Sequence, residues 1–261
     1  MSIIKNRKWL YDGVSELTQE NLYRLFNNEL PYIRLKGFFS TQECDQCIKV
    51  AESFTFGEYD NVEPVIERIG CTVFEYERSK PDGYFAKSRQ EIDVRDTIFF
   101  NSINPLEKLI KMVAKVSEQT TSIAKNASGE TYYAGLIRKI EKGTELHIDY
   151  SPAEQKGWEV CDVLNQLAWN LYLQLGAPCT GETIIYDRVW ELDDEQYRYG
   201  SYGFEEAVVD GCNYVKLVPE KGELILFNTR NYHKVLPSEG KRMTVASAIG
   251  ELPNGNILFW S

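Results

Sequence analysis

Residues 222–228 read Gly222-Glu223-Leu224-Ile225-Leu226-Phe227-Asn228, and they predict a strand at 223–227 that follows a glycine and leads into a polar turn. The chain continues in this manner from about Tyr132 onward, with short apolar runs separated by Gly, Pro and Asn. The candidate strands are 132–140, 145–149, 166–175, 182–186, 214–218, 223–227, 234–236, 243–249 and 257–260. Roughly eight antiparallel strands predict a jelly roll.

The first 125 residues are predicted to be mainly helical. Ser40 and Glu43 have the spacing of a capping box, which starts a helix that we expect to extend to about Ser53. Asn104-Pro105 is suited to the N-cap and first turn of another helix. The apolar residues with helical spacing are Leu22, Leu25, Phe26 and Leu30, which precede Pro31, and then Leu106, Leu109, Ile110, Val113 and Val116.

These patterns predict an α+β, mainly β architecture. Residues 1–261 are expected to form one domain, in which residues 1–125 supply helices packed on one sheet and residues 130–261 form the jelly-roll core. A chain of this length buries a sizeable core without needing a second domain.

Composition restricts the classes of partner. The formal net charge of −10 argues against nucleic acid, because binding to phosphates requires clustered Lys and Arg. There is no run of about 18 apolar residues, so no membrane span is expected. Residues 1–8 are basic but lack the apolar core of a signal peptide, which favours a cytoplasmic protein. The expected partner is a small-molecule substrate, and the chain is also a candidate for a homodimer.

The six cysteines are expected to be reduced thiols, given the absence of a signal peptide. Cys44 and Cys47 have C-x-x-C spacing, but they lie in an amphipathic helix pattern and no second pair with zinc-ligand spacing follows. We therefore interpret both as packing residues.

The chain has only two histidines, His147 and His233. His147 opens the triplet His147-Ile148-Asp149, whose first and third side chains point to the same side of a strand. His233 follows Asp149 by 84 residues and would reach the same place from a neighbouring strand. Two imidazoles and one carboxylate are the ligand set of Fe(II) oxygenases, which leaves one side of the metal open. The pattern predicts an iron site, with zinc as the alternative metal for the same ligands.

Arg242 lies nine residues after His233, on the predicted strand 242–249. Arg242, Thr244 and Ala246 would share one face of that strand. A buried arginine beside a metal needs an anion, and a 2-oxo acid that chelates the metal would present its remote carboxylate. Taken alone, Arg242 would be interpreted as a surface charge, since it follows Lys241. A His next to an Asp is also common. The iron site is favoured because the triplet, the distant His233 and Arg242 occur together.

Further site residues are predicted from strand phase. Arg138 would be either a buried anion ligand or an exposed charge. Asn170 and Tyr172 share a face that would point into the barrel, where Tyr172 either packs in the core or contacts the co-substrate. Trp158 either forms a wall of the substrate site or packs. The acidic, Tyr-rich segment 187–214 interrupts the strands and suggests a lid, whose carboxylates are either solvated or selective for a cationic substrate.

At these residues the chain resembles the Fe(II)/2-oxoglutarate-dependent oxygenases, and among them the free-standing halogenases of indole alkaloids and amino acids with their hydroxylating relatives. The resemblance extends from Gly37 to the C-terminus. Its clearest parts are Gly181-Glu182-Thr183-Ile184-Ile185-Tyr186, residues 222–227, His233 with Gly240-Lys241-Arg242, and Phe259-Trp260-Ser261.

The resemblance implies a double-stranded β-helix, Fe(II) held by His147, Asp149 and His233, 2-oxoglutarate bound by Arg242, and O2 as the other co-substrate. In the halogenases the position of Asp149 is Gly or Ala, and chloride takes the vacated iron site. Asp149 therefore implies hydroxylation of a carrier-free metabolite, and Asp149→Gly is expected to open a halide site. The alternatives are a peptide or protein hydroxylase resembling prolyl hydroxylases, and a non-catalytic cupin-type metal-binding module.

Overall fold

Two sheets of mainly antiparallel strands organise the fold, and the computed structural model describes it for residues 8–60, 62–76 and 80–261. The basic N-terminal segment discussed above lies almost wholly outside these ranges. The helices are α1 Gln19–Phe26, α2 Thr41–Ala51, α3 Pro81–Phe100, α4 Pro105–Ser117 and α5 Ser151–Glu154. The strands are β1 Ile33–Leu35, β2 Gly57–Glu58, β3 Glu67–Ile69, β4 Thr121–Ile123, β5 Leu136–Lys139, β6 Asn165–Gln174, β7 Thr183–Val189, β8 Arg198–Tyr199, β9 Gly203–Phe204, β10 Tyr214–Leu217, β11 Leu224–Asn228, β12 Asn231–Val235, β13 Met243–Glu251 and β14 Ile257–Trp260.

The larger sheet has the strand order β1-β11-β6-β13-β5-β3-β2, with β14 pairing β13 and β4. The smaller sheet has the order β10-β7-β12. Side chains from both sheets meet in one buried cluster that includes Tyr172, Ile185, Leu217, Ile225 and Phe227. The predicted jelly roll is confirmed by this arrangement of two facing sheets.

Alternation along β6 separates the helical layer from the barrel interior. Trp169, Leu171 and Leu173 belong to the cluster that contains the buried side chains of α1, α2 and α4. Asn170 and Tyr172 therefore point to the opposite side, towards the smaller sheet. The prediction that N-terminal helices pack on one sheet is confirmed by this cluster.

Several predicted bounds differ from the structure. Strand β14 has the predicted bounds, whereas residues 145–149 form no ladder and pair only through an isolated bridge between His147 and His233. Strand β12 begins earlier than predicted, so His233 lies inside it, and Arg242 lies just before β13. Helix α1 ends at Phe26, because Asn28 adopts a left-handed conformation with φ 59°; Leu30 is buried outside the helix.

The capping box of α2 is present as predicted. The Ser40 hydroxyl accepts from the Glu43 N–H at 3.2 Å, and the Glu43 carboxylate accepts from the Ser40 N–H at 2.5 Å. Asn104 likewise caps α4 by accepting from the Glu107 N–H at 2.9 Å. None of the helices in the described ranges has the length and apolar character needed to cross a membrane.

We expect Ser40→Ala to lower the free energy of unfolding by about 1 kcal/mol, because one N–H of the first turn loses its acceptor. Urea denaturation measures the change. The matched control is Thr41→Ala at the neighbouring exposed position, for which a change within about 0.5 kcal/mol is expected. Equal effects of the two substitutions would contradict a stabilising role for the cap.

Candidate metal centre

A reciprocal backbone pair places the two histidines side by side. The His147 N–H donates to the His233 carbonyl and the His233 N–H donates to the His147 carbonyl, both at 2.9 Å. Two residues further on, the Asp149 N–H donates to the Thr229 carbonyl at 3.0 Å. The segment that carries His147 and Asp149 is thus attached at two points to the chain around β12, although it is not a regular strand.

The three side chains converge. The Nε2 atoms of His233 and His147 lie 3.6 Å and 3.9 Å from Oδ2 of Asp149. One ligand atom from each of the three residues lies within 4.8 Å of the others, so a single ion can contact all three. The Asp149 side chain remains 54% exposed, whereas that of His233 is 4% exposed, so the open side of the centre is next to Asp149.

Backbone carbonyls orient both imidazoles. Nδ1 of His147 lies 2.8 Å from the Glu145 carbonyl, and Nδ1 of His233 lies 2.9 Å from the Asn231 carbonyl. A carbonyl only accepts, so Nδ1 carries the proton in each ring and the Nε2 lone pair is directed at the centre. Burial and the neighbouring His233 lower the pKa of His147 to about 4, which keeps it in the neutral form that binds metals.

Among the residues that the structure describes, no carboxylate forms an ion pair with the buried Arg242. It is 2% exposed, and within the described residues its Nε and Nη1 atoms have no hydrogen-bond partner. Burial lowers the pKa of Arg242, which is the sign of an uncompensated charge. The Oγ1 atom of Thr244, which is fully buried, is also without a partner in the described chain. An anion held between these groups would satisfy them.

The other residues predicted from strand phase lie on the same side of the larger sheet. Arg138 and Tyr172 are each paired in register with Thr244, from β5 and β6 respectively. Nη2 of Arg138 donates to the Asn170 side-chain oxygen at 3.0 Å. The ring of Tyr172 lies 5.2 Å from the Arg242 guanidinium carbon. The sheet thus brings together Arg138, Asn170, Tyr172, Arg242 and Thr244.

A cavity of about 170 Å³ opens beside His147 and Asp149. His147, Asp149 and Arg138 line it, as do residues that the sequence reasoning did not assign to the site: Tyr59, Thr72, Phe74, Glu154, Gln166 and Tyr202. Trp158 is not among the lining residues. It is 3% exposed and packs in an aromatic cluster with Tyr84, Phe85 and Tyr132, so the packing interpretation of Trp158 is correct.

The acidic segment 187–214 contacts the site but does not present its carboxylates to the cavity. Asp194 accepts two hydrogen bonds from Arg188, and Glu195 is bound by both Arg198 and Trp190. Glu206 pairs with Lys234. The segment instead contributes Tyr202, whose ring lies 5.3 Å from that of His147 in an edge-on arrangement.

Comparison with known proteins finds a family match over residues 8–255, to the family described as carrier-protein-independent halogenase WelO5. The leucinostatins biosynthesis cluster protein S of Purpureocillium lilacinum is 33% identical over 223 residues, which cover 77% of this chain and 88% of that protein. The L-gamma-glutamyl-L-propargylglycine hydroxylase of Streptantibioticus cattleyicolor is 34% identical over 137 residues, which cover 51% of this chain and 50% of that protein.

Solved structures share the fold. An N-substituted L-amino acid dioxygenase from Burkholderia ambifaria, solved in complex with alpha-KG, superposes with a TM-score of 0.64 at 16% identity, over 93% of this chain and 90% of that one. HygX from Streptomyces hygroscopicus, with nickel and 2-oxoglutarate bound, superposes with a TM-score of 0.53 at 15% identity, over 90% of this chain and 87% of that one.

Proposed function

We propose that the chain, which belongs to the family of the carrier-protein-independent halogenase WelO5, is a hydroxylase. Its substrate would be a small molecule that is not attached to a carrier protein, and the reaction would hydroxylate a C–H bond. The chain is an Fe(II)- and 2-oxoglutarate-dependent oxygenase. Hydroxylation, in place of the halogenation for which the family is named, is the part that we infer from the chain's own residues.

Asp149 is the observation that carries this proposal. Its carboxylate lies 3.6 Å from His233 Nε2 and 3.9 Å from His147 Nε2. A carboxylate at this place completes the two-histidine, one-carboxylate ligand set. The halogenases that the sequence resembles have Gly or Ala at the corresponding position, which leaves room for halide. Asp149 fills that room, so the ligand set supports hydroxylation.

His147, Asp149 and His233 would hold the iron, and Arg242 with Thr244 would bind the remote carboxylate of 2-oxoglutarate. When bound, iron with 2-oxoglutarate and O2 supplies an oxidant able to attack an unactivated C–H bond. The chain's own residues orient the metal ligands and form the wall of the cavity. The carbonyls of Glu145 and Asn231 fix both imidazoles. Arg138 is held by Asn170 at the cavity wall, where its remaining donors would contact 2-oxoglutarate or the substrate.

The size of the cavity favours a small molecule, and not a folded protein, as the substrate. Its volume of about 170 Å³ is bounded by side chains on several sides, including Tyr59, Phe74 and Tyr202. One relative is named as a hydroxylase of L-gamma-glutamyl-L-propargylglycine and another as a protein of leucinostatins biosynthesis. We infer an amino acid, a derivative of one, or a natural-product intermediate as the substrate.

The expected setting of the enzyme is the cytoplasm, with neither nucleic acid nor membrane as a partner. The net charge of −10 supports the part of this proposal that concerns nucleic acid, because binding to phosphates requires clustered Lys and Arg. A homodimer is the proposed alternative to a monomer, and light scattering of the purified protein decides between them.

The test of the function supplies Fe(II), 2-oxoglutarate and O2 in chloride-containing buffer, with a panel of free L-amino acids and their γ-glutamyl derivatives. We expect a product that has gained one oxygen, with one succinate formed per product. The matched variant is Asp149→Gly, which should lose hydroxylation and form a chlorinated product. A chlorinated product from the wild type would overturn the proposal. Folded protein that is given Fe(II) and 2-oxoglutarate without air should show the visible absorption band of the iron chelate. If that band is absent, the proposal is also overturned.

A further inference from the structure

Glu154 is a second carboxylate in the wall of the cavity. Of the described residues that line the cavity, Asp149 and Glu154 are the acidic ones, and Asp149 is already assigned to the metal. Glu154 is the last residue of α5, its side chain is only 17% exposed, and it belongs to no other function described above.

The negative charge of Glu154 is only partly compensated. Its Oε2 accepts from the Tyr150 N–H at 3.1 Å, and its Oε1 lies 3.3 Å from Nη1 of Arg198. That contact is longer than the 2.7–2.9 Å usual for charge-assisted hydrogen bonds. Arg198 is instead bound more closely by Glu195, at 2.7 Å and 3.0 Å, and its guanidinium stacks on the Phe204 ring.

A purely structural role does not require this arrangement. The neutral amide oxygen of a glutamine would accept equally well from the Tyr150 N–H, and Arg198 has its own carboxylate in Glu195. Burial is the largest cause of the raised pKa of Glu154, and a buried carboxylate is most stable beside a cation. A cation supplied from the cavity would stabilise the carboxylate.

The rest of the cavity wall is mainly apolar. Val62, Ile66, Phe74, Leu136 and Trp260 line it, and Phe74 is 44% exposed at the surface. A molecule that fits such a wall has an apolar body. Of the two carboxylates that line the cavity, Glu154 is the one not assigned to the metal, so it is the group that would attract a cation of the substrate.

We propose that Glu154 binds a protonated amine of the substrate, which makes it the specificity-determining residue for ammonium compounds with an apolar body. This inference rests on the proposed function, since it concerns the same cavity. Arg198 takes the place of the substrate's cation while the cavity is empty. The substrate ammonium then competes with Arg198, which stays bound to Glu195.

The test uses protein loaded with Ni(II) and 2-oxoglutarate, so that binding is measured without turnover. The probes are n-hexylamine and n-hexanol, which differ in charge and hardly in shape. Calorimetry at pH 8.5 keeps the hexylamine protonated and Glu154 ionised. We expect hexylammonium to bind the wild type about tenfold more tightly than hexanol, as for a hydrogen bond to a charged group.

Two variants and a control complete the design. Glu154→Gln should remove the preference, and Arg198→Met should increase it, because the competing cation is lost. The control is Glu206→Gln, which removes a carboxylate of the segment 187–214 that does not line the cavity and should leave the preference unchanged.

The proposal is overturned if wild-type protein shows no preference, if neither probe binds, or if Glu154→Gln keeps the preference. Binding of 2-oxoglutarate to the Ni(II)-loaded protein is measured first. If 2-oxoglutarate does not bind, the proposed function itself fails. If it binds and the amine preference is missing, only the role of Glu154 fails.

Discussion

Replacing His233 by alanine is expected to lower the affinity for Fe(II) by more than about 100-fold, because substitutions of groups that merely support a ligand already cost 10-fold to 100-fold. His233 lies inside β12, and its Nε2 is 3.6 Å from Asp149. Without it, two ligands remain, one of which belongs to a half-exposed side chain. Fe(II) binding is measured by competition with a chelator, and succinate formation should be lost in parallel.

The matched control for this substitution is Lys234→Met, at the next residue of the same strand. Lys234 pairs with Glu206 away from the histidines, so iron affinity should stay within a factor of about two. Circular dichroism establishes that both variants are folded. Iron affinity equal to that of the wild type in a folded His233→Ala protein would exclude His233 as a ligand.

The second large effect is expected at Arg242, where Arg242→Met should weaken the binding of 2-oxoglutarate by about 100-fold or more. Breaking a buried ion pair costs about 3–5 kcal/mol. The same substitution should raise the free energy of unfolding in the absence of 2-oxoglutarate, because the wild-type guanidinium is buried with unsatisfied Nε and Nη1 atoms. Weaker binding of 2-oxoglutarate together with a higher free energy of unfolding would show that Arg242 is buried in order to bind a ligand and not to stabilise the fold.

Arg34 offers the control, because it already has its anion. Its side chain binds the fully buried Glu223 through Nε at 2.5 Å and Nη2 at 2.7 Å. Arg34→Met should lower the free energy of unfolding by about 3 kcal/mol and leave the binding of 2-oxoglutarate unchanged. Urea denaturation and calorimetry measure the two quantities. If Arg242→Met destabilises the protein as Arg34→Met does, Arg242 has a structural partner and the co-substrate lies elsewhere.

The residues that could be predicted from sequence are those whose chemistry is rare in this chain. Only two histidines are present, so the triplet with Asp149 and the distant His233 left few alternatives. Strand phase predicted that Asn170 and Tyr172 share one face and that Arg242 and Thr244 share another, because alternation survives small errors in strand bounds. It left Arg138 open between a buried anion ligand and an exposed charge. The structure brings these side chains together, and their roles at iron and 2-oxoglutarate stay proposals until the variants are measured.

Short and irregular segments could not be predicted, since tertiary contacts determine them. Strands β2, β3, β8 and β9 have two or three residues each and carry no usable periodicity. Residues 145–149 alternate like a strand, yet they form no ladder and are held by one bridge and separate backbone hydrogen bonds. Glu154 lies in a four-residue helix, and its contact with the distant Arg198 could not be read from local sequence.

The backbone pair between His147 and His233 has a consequence for metal selection. Four main-chain atoms fix the spacing of the imidazoles, so the backbone itself holds the two histidines side by side. A set of two imidazoles and a carboxylate binds Co²⁺, Ni²⁺, Cu²⁺ and Zn²⁺ more tightly than Fe²⁺, in the general order of divalent metals. We therefore expect the supply of iron, and not its affinity, to decide which metal is loaded, and material purified on a nickel column to carry nickel until it is stripped and reloaded.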